Sequence, residues 1–341
     1  MFNCVLQLTL NALEDGGLND LYPFLAGFVQ QWQHPKRFGR FHDLTQFFDV
    51  SRWRGNRHGG SFRAQASEGL SLYPLLTFWV ESMLIPRDVA VPACRAFASF
   101  ANVADCCQVA MRGECDHDRM RSSVHAFLAA FQAAFGLDEM IPKFHWMLHY
   151  AREMRLHGFL LSCFTHERKH KMVRRYATPT LQTRDYERIV IREVVTHHIR
   201  MLDNEDALDC QVGLVRPRLP SKRLRRILHE LLGAGGHEVL VSNECRFCHF
   251  ECCSIGDMVF VRNGAGILFL GEVWLHLQRH DQLLSIVSCY REVRRDAATR
   301  SAEWASTGNQ QLVFAVDIVT VATWLRLSGD LIRTLMPADL L

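Results

Sequence analysis

"PKFHWMLHYAREMRLHGFLLSCFTHERKHKMVRRYA", residues 142–177, is the stretch on which the reading of the fold turns. Pro142 suits the first turn of a helix, where its missing N–H would have no partner, and Gly158 suits that helix's end. The run then becomes charged and contains His166-Glu167-Arg168-Lys169-His170, a formal match to the H-E-x-x-H zinc box. As a zinc metallohydrolase, the chain would hold the ion between His166 and His170, one helical turn apart. Glu167 would polarise a water, and Glu187, Glu193 or His197 stands at a sequence distance that suits the third ligand. The intervening residues weigh against zinc. Arg168, Lys169, Lys171, Arg174 and Arg175 place five cations within about two turns, and these repel a divalent ion and resist burial. At about 100° per residue, Glu167, Lys171 and Arg174 form one stripe flanked by Arg168 and Arg175, while Met172, Val173 and Tyr176 turn toward a core. One carboxylate on a basic face suits a hard divalent cation beside phosphates. The plain alternative is a solvated charged helix without chemistry.

The flanking segments differ in grammar. Residues 1–137 read as helical: "LNDLYPFLAGFVQQW", "ACRAFASFANVADCCQVAM" and "MRSSVHAFLAAFQAAFG" repeat apolar residues at three- and four-residue spacing. Asp118 or Ser122 can cap the last of these, and Gly136 can end it. "SRWRGNRHGGSFRAQASEG" (51–69) reads as a loop, either a solvated connector or a contact with an anionic partner. There Trp53, near Arg52, Arg54, Arg57 and Arg63, is an aromatic among cations that could stack on a frayed base. Residues 138–204 form a second helical block and 205–235 a basic linker. The linker holds "RPRLPSKRLRR" (216–226), whose Arg216, Arg218, Lys222, Arg223, Arg225 and Arg226 suit DNA phosphates or a nuclear-import address as well as they suit plain solvation. Residues 236–341 turn to short Val/Ile/Leu/Phe-rich runs with turn chemistry such as Asn263-Gly264, which predicts a small β-barrel or sandwich. The expected class is α+β, with a mainly helical amino-terminal two-thirds.

Composition narrows the classes less than motif does. The chain has 341 residues, 48% hydrophobic, enough for two or three cores. Its net charge of +3 says little about partners. Twelve Cys spread over this length do not form the dense framework of a small secreted domain, so they read as reduced thiols of an intracellular protein. No apolar run approaches the roughly twenty residues that span a bilayer, and no signal peptide is seen. The opening "MFNCVLQLTLNALEDGG" looks like the interior of a larger protein.

Two smaller clusters read as packing. "NECRFCHFECC" (243–253) places Cys245, Cys248, His249, Cys252 and Cys253 together, but adjacent Cys252 and Cys253 rarely ligate one ion, so a strand-edge cluster without metal is the simpler reading. His145 and His149, among Phe144, Trp146, Met147, Leu148 and Tyr150, read as core or helix-packing histidines, and Cys106 and Cys107 as small apolar fillers.

Residues 142–177 resemble the end of the catalytic domain in eukaryotic cut-and-paste DNA transposases of the DDE type, of the broad CACTA and Kyakuja-Dileera-Zisupton kind. These have a Pro-Lys-Phe-His-like helix, a His one turn later, a glycine turn, and a Glu-Arg pair leading a basic helix. "MFNCVLQLTLNAL" looks like the helix after the second catalytic Asp, and "QASEGLSLYPLL" like part of the helical insertion before the last acid. "GDMVFVRNGAGILFLGEVWLHL" looks like the SH3-like or BAH-like module of related transposon proteins. The resemblance implies an RNase H-like domain with Glu167 as catalytic, metal-binding third acid. Arg168, Lys169, Lys171, Arg174 and Arg175 would lie along DNA, with Lys143, His145 and His149 in support. It implies Mg²⁺ only if upstream acids are supplied, a nuclear location, DNA as partner, and a possible protein partner for the β module. A DDE site needs two further acids, and Asp43, Asp49, Asp105 and Asp116 do not sit in an apolar strand of the kind that displays one. The expectation is therefore a remnant truncated at its amino end that binds DNA without cutting it alone; a non-catalytic protein-interaction module is a further alternative.

Overall fold

The computed structural model describes residues 1–35, 44–110, 115–160, 173–179, 185–202, 212–232, 239–247, 252–337 and 340. Its amino-terminal part is helical: α1 (Phe2–Asp15), α2 (Leu21–Gln30), α3 (Val50–Gly59), α4 (Ala66–Trp79), α5 (Val91–Ala110) and α6 (His117–Phe135). Spacing explains the packing. On α6, Met120, Val124, Phe127 and Phe131 recur at three- and four-residue steps and are buried, while the intervening polar residues face water. Phe127 and Phe131 meet Phe144 edge-on at 5.4 and 4.8 Å, which ties α7 (Pro142–Met147) to this core.

Several local expectations are corrected here. The stretch at 51–69 holds a helix: Asp49 caps α3 by accepting from the Arg52 N–H at 2.7 Å, and Gly60, at φ 61°, closes it. On α6 the cap is Asp116, not Asp118 or Ser122, and Gly136 ends the helix as expected. The helix expected from Pro142 to Gly158 is two, α7 and α8 (Tyr150–His157), separated at Leu148 and His149. Nor are His145 and His149 core residues. Both are exposed, with their rings 5.2 Å apart, and it is Phe144 and Met147 that are buried.

Pro74 lies inside α4, which passes into a π-helical turn, Val80–Leu84, and then a 3-10 turn, Ile85–Arg87. Asp88 and Ala90 beyond it have φ of 58° and 40°. The wide turn takes Glu81 out of the regular α-helical register, and the two left-handed residues follow where the segment ends.

The strands are β1 (Gly213–Val215), β2 (Val239–Ser242), β3 (Glu244–Arg246), β4 (Cys252–Ser254), β5 (Met258–Arg262), β6 (Leu268–Arg279), β7 (Gln282–Asp296), β8 (Ser301–Phe314), β9 (Ile318–Ala322), β10 (Trp324–Ser328) and β11 (Leu331–Leu335). All pairs are antiparallel. One eight-stranded sheet runs β10-β11-β8-β7-β6-β5-β9 with β2 on β6, and a three-stranded sheet runs β1-β3-β4. This corrects the expected barrel. β9 and β10 stand at opposite ends of the sheet order, and no pairing among the described residues joins them.

The segment read as a linker carries β1 and a further helix, α10 (Lys222–Leu232); Tyr186–Leu202 forms α9. The helical part and the sheet are joined directly. Gln33 and Trp324 exchange backbone hydrogen bonds at 2.7 and 3.0 Å, and Leu335 of β11 is buried in the helical core. The Arg300 corner between β7 and β8 enters the helical part and bonds Asp105 of α5. No described helix is long and apolar enough to cross a membrane.

Candidate nucleic-acid interface

Among the described residues, the predicted cations concentrate at 216–226. The chain reaches this segment through β1, which pairs with β3 (Leu214 opposite Cys245). Arg216 then bends the backbone at φ 53° before Pro217. Arg218 exchanges backbone hydrogen bonds with Val241 at 2.9 and 2.8 Å, and its guanidinium donates to Asn243 Oδ1 at 2.8 Å. Ser242 Oγ donates to the Val215 carbonyl, and Pro220 is buried. The segment is thus fixed to the sheet rather than loose.

Ser221 starts α10 by accepting the Leu224 N–H on Oγ at 3.3 Å and the Arg225 N–H on its carbonyl at 2.8 Å. Apolar residues at four-residue steps then anchor the helix. Leu228 is fully buried, and Leu224 and Leu232 pack with it against Val239, Val241, Leu275, Leu277, Leu284 and Ile286. Lys222, Arg223, Arg225 and Arg226 are exposed on the other side, with Arg216 and Arg218 exposed just before them. The first acid after Arg216 is Glu230. Cations in the opening turns of a helix oppose its dipole, each by roughly 0.3–1 kcal/mol, unless an anion lies there. An anion at this helix start would offset that cost.

The other predicted residues are scattered. His166, Glu167, Arg168, Lys169, His170 and Lys171 lie outside the described residues. Arg174 and Arg175 are exposed on the helical turn at 173–177, which meets α9 through the Tyr176 and His197 rings at 6.0 Å. Glu187 and Glu193 are exposed on α9. Trp53 is not free to stack on a base: its indole N–H donates to Glu14 Oε1 at 2.9 Å, and Arg57 lies over its ring at 5.6 Å.

Cys245 and Cys253, directly opposed on β3 and β4, are both buried, whereas Cys252 is half-buried, as strand alternation requires. Burial pushes the Cys245 thiol up to about 12. Cys248 and His249 lie outside the described residues. The trio Asp116, His117 and Asp118 is the one group of three metal-ligating side chains that converges among the described residues, and it sits at the exposed start of α6, where Asp116 serves as the cap.

Sequence reasoning missed two constellations. Cys253 Sγ lies 3.7 Å from His276 Nε2, and His276 Nδ1 lies 2.8 Å from Ser285 Oγ, the order of a nucleophile, base and orienting group. All three are fully buried, so no solvent-borne substrate reaches them. The other is the Arg300, Asp105 and Glu81 cluster, whose members are distant in sequence. Its local signals were Asp105 and Glu81, each an acid within an apolar run.

No protein-family model matches the chain, and neither the curated proteins nor the solved structures yield a match.

Proposed function

We infer that the segment at 216–226 binds the phosphate backbone of DNA and that the chain is a transposase-derived DNA-binding protein acting in the nucleus. The observation that carries this reading is the outward, acid-free set Arg216, Arg218, Lys222, Arg223, Arg225 and Arg226, on a strap and helix held to the sheet by Arg218, Val241 and Leu228. The resemblance at 142–177 supports a transposon origin. In that reading residues 138–204 are the closing helices of an RNase H-like domain, with Glu167 its third acid and Mg²⁺ the ion that acid would serve beside two more. Arg174 and Arg175 would add phosphate contacts. Strand cleavage by this chain alone is not part of the proposal. The open sheet would serve as a platform for the strap and for a protein partner.

The test is fluorescence anisotropy of the full chain with a labelled duplex across a salt series. Binding should weaken steeply with salt, and the R223A/R225A/R226A triple variant should lower the slope of log K against log salt by about 3. An unchanged slope, or no binding at low salt, would refute the assignment.

A further inference from the structure

The corner between β7 and β8 drives Arg300, at φ 50°, into the helical body. Its Nη1 lies 2.5 Å from Asp105 Oδ2, and its Nη2 donates to Glu81 Oε1 at 3.2 Å, Asn102 Oδ1 at 2.9 Å and the Ala98 carbonyl at 3.4 Å. Asp105 Oδ1 also accepts from the Tyr73 hydroxyl at 2.8 Å, so both of its oxygens are engaged. Glu81 fares differently. Its Oε2 is buried and has no hydrogen-bond partner. One guanidinium thus contacts two carboxylates, buried Asp105 and half-buried Glu81, with Arg119 acting on Asp105 from farther off, so Glu81 shares its one contacting cation when both are ionised.

Beside this cluster lies a cleft of about 390 Å³, with Glu81, Phe78 and Ser82 on the helical wall and Asp296, Glu303 and Arg333 on the sheet wall. Two cations line it. Arg333 binds Glu303 at 2.5 Å and lies 5.7 Å from the Phe78 ring centre, and Arg294 is exposed on β7. Asp296 adds negative charge to the wall. Glu81 stands on the π-turn at Val80–Leu84, a local geometry that recurs at ligand sites. The terminal torsion of a glutamate is broad, so a ligand can turn the unpartnered oxygen toward the cleft in exchange for the 3.2 Å contact of Oε1 with Arg300.

We propose that this cleft binds a small organic cation, a primary ammonium or a guanidinium, which donates an N–H to Glu81 Oε2. The ligand supplies Glu81 with a positive charge of its own and satisfies the unpartnered oxygen in one contact. A metal ion fits less well, because the described carboxylates here do not converge as a ligand set. The charge on Glu81 supports the class. Burial pushes its carboxyl up to about 7, with Asp105 and Asp296 acting the same way and Arg300 against them. Below that pH a proton takes the cation's place.

The test titrates the full chain with n-butylamine and methylguanidine at about 10 mM, with butyrate and 1-butanol as controls, by ligand-observed NMR. Amine binding should strengthen as pH rises through about 7. It should weaken by roughly tenfold in Glu81→Gln, whose amide oxygen can still accept from Arg300. Butyrate and butanol should not bind. Equal affinity in Glu81→Gln, a flat pH profile, butyrate bound as well as butylamine, or no amine binding would each overturn the proposal. If the variant does not fold, the wild-type pH profile and the amine-to-butyrate contrast decide alone.

Discussion

Arg300 and Asp105, 195 positions apart in the chain, meet at 2.5 Å where the sheet enters the helical body. Their side chains are only 13% and 11% exposed, so the pair is held out of water. Removing one partner of such a pair costs more than the pair contributes, because the other charge stays buried and unmatched.

Arg300→Met should therefore destabilise the fold by about 3–5 kcal/mol, read as a lower urea midpoint. Arg300→Lys should recover only part of this. An ammonium cannot reach Asp105, Glu81, Asn102 and the Ala98 carbonyl together as the guanidinium fork does. Removing all three charges together, as R300M/D105N/E81Q, should cost less than Arg300→Met alone.

Glu81 makes stability fall as pH rises. Its carboxyl is raised from 4.5 to about 7 in the folded chain, chiefly by burial. Between those values the folded state holds more protons than the unfolded state, so unfolding becomes easier as pH climbs through the window. Glu81→Gln should lose this slope and gain on the wild type above pH 7, with the difference vanishing below pH 4.5. Thermal melts of the two proteins across pH would check it.

His276 acts with the opposite sign. Burial lowers its imidazole from 6.5 to about 4, so the unfolded state takes up the extra proton and stability is lost as pH falls from 6.5 toward 4. His276→Gln should remove that acid-side loss. It should also cost stability near pH 7, because the bond to Ser285 Oγ is perturbed in a fully buried site.

Gly271 on β6 is a packing requirement. A Cβ there would sit 2.9 Å from Val287 Cβ on the paired strand β7, an atom held close to its backbone. Gly271→Ala should cost about 1–3 kcal/mol by overpacking, visible as a lower Tm.

The division into a helical first part and a β last part was legible because periodicity of 3.6 or 2 is local. Gly136 closing α6 was equally plain. Whether the sheet closes was not legible, since closure depends on how the far edges β9 and β10 meet. The charge of 216–226 could be read directly, but its fold could not. The signal lay in Leu224, Leu228 and Leu232 at four-residue steps, which the density of arginines concealed. Trp53 misled because its environment was judged from neighbours in sequence, whereas Glu14, the acid that holds it, is 39 residues away. The Glu81 cluster lay beyond sequence reasoning for the same reason, drawn as it is from the π-turn, α5 and the β7–β8 corner.

Leu335 gives the helical core a late arrival. It belongs to β11 yet is buried among residues of the first helices, while Arg300 bonds Asp105 of α5 and Trp324 pairs its backbone with Gln33. The helices are synthesised long before residues 300–335, so these three contacts form only after the helices have emerged. Contacts of such sequence separation carry a high loop-closure cost, so docking of the sheet on the helical part should be a late step of folding.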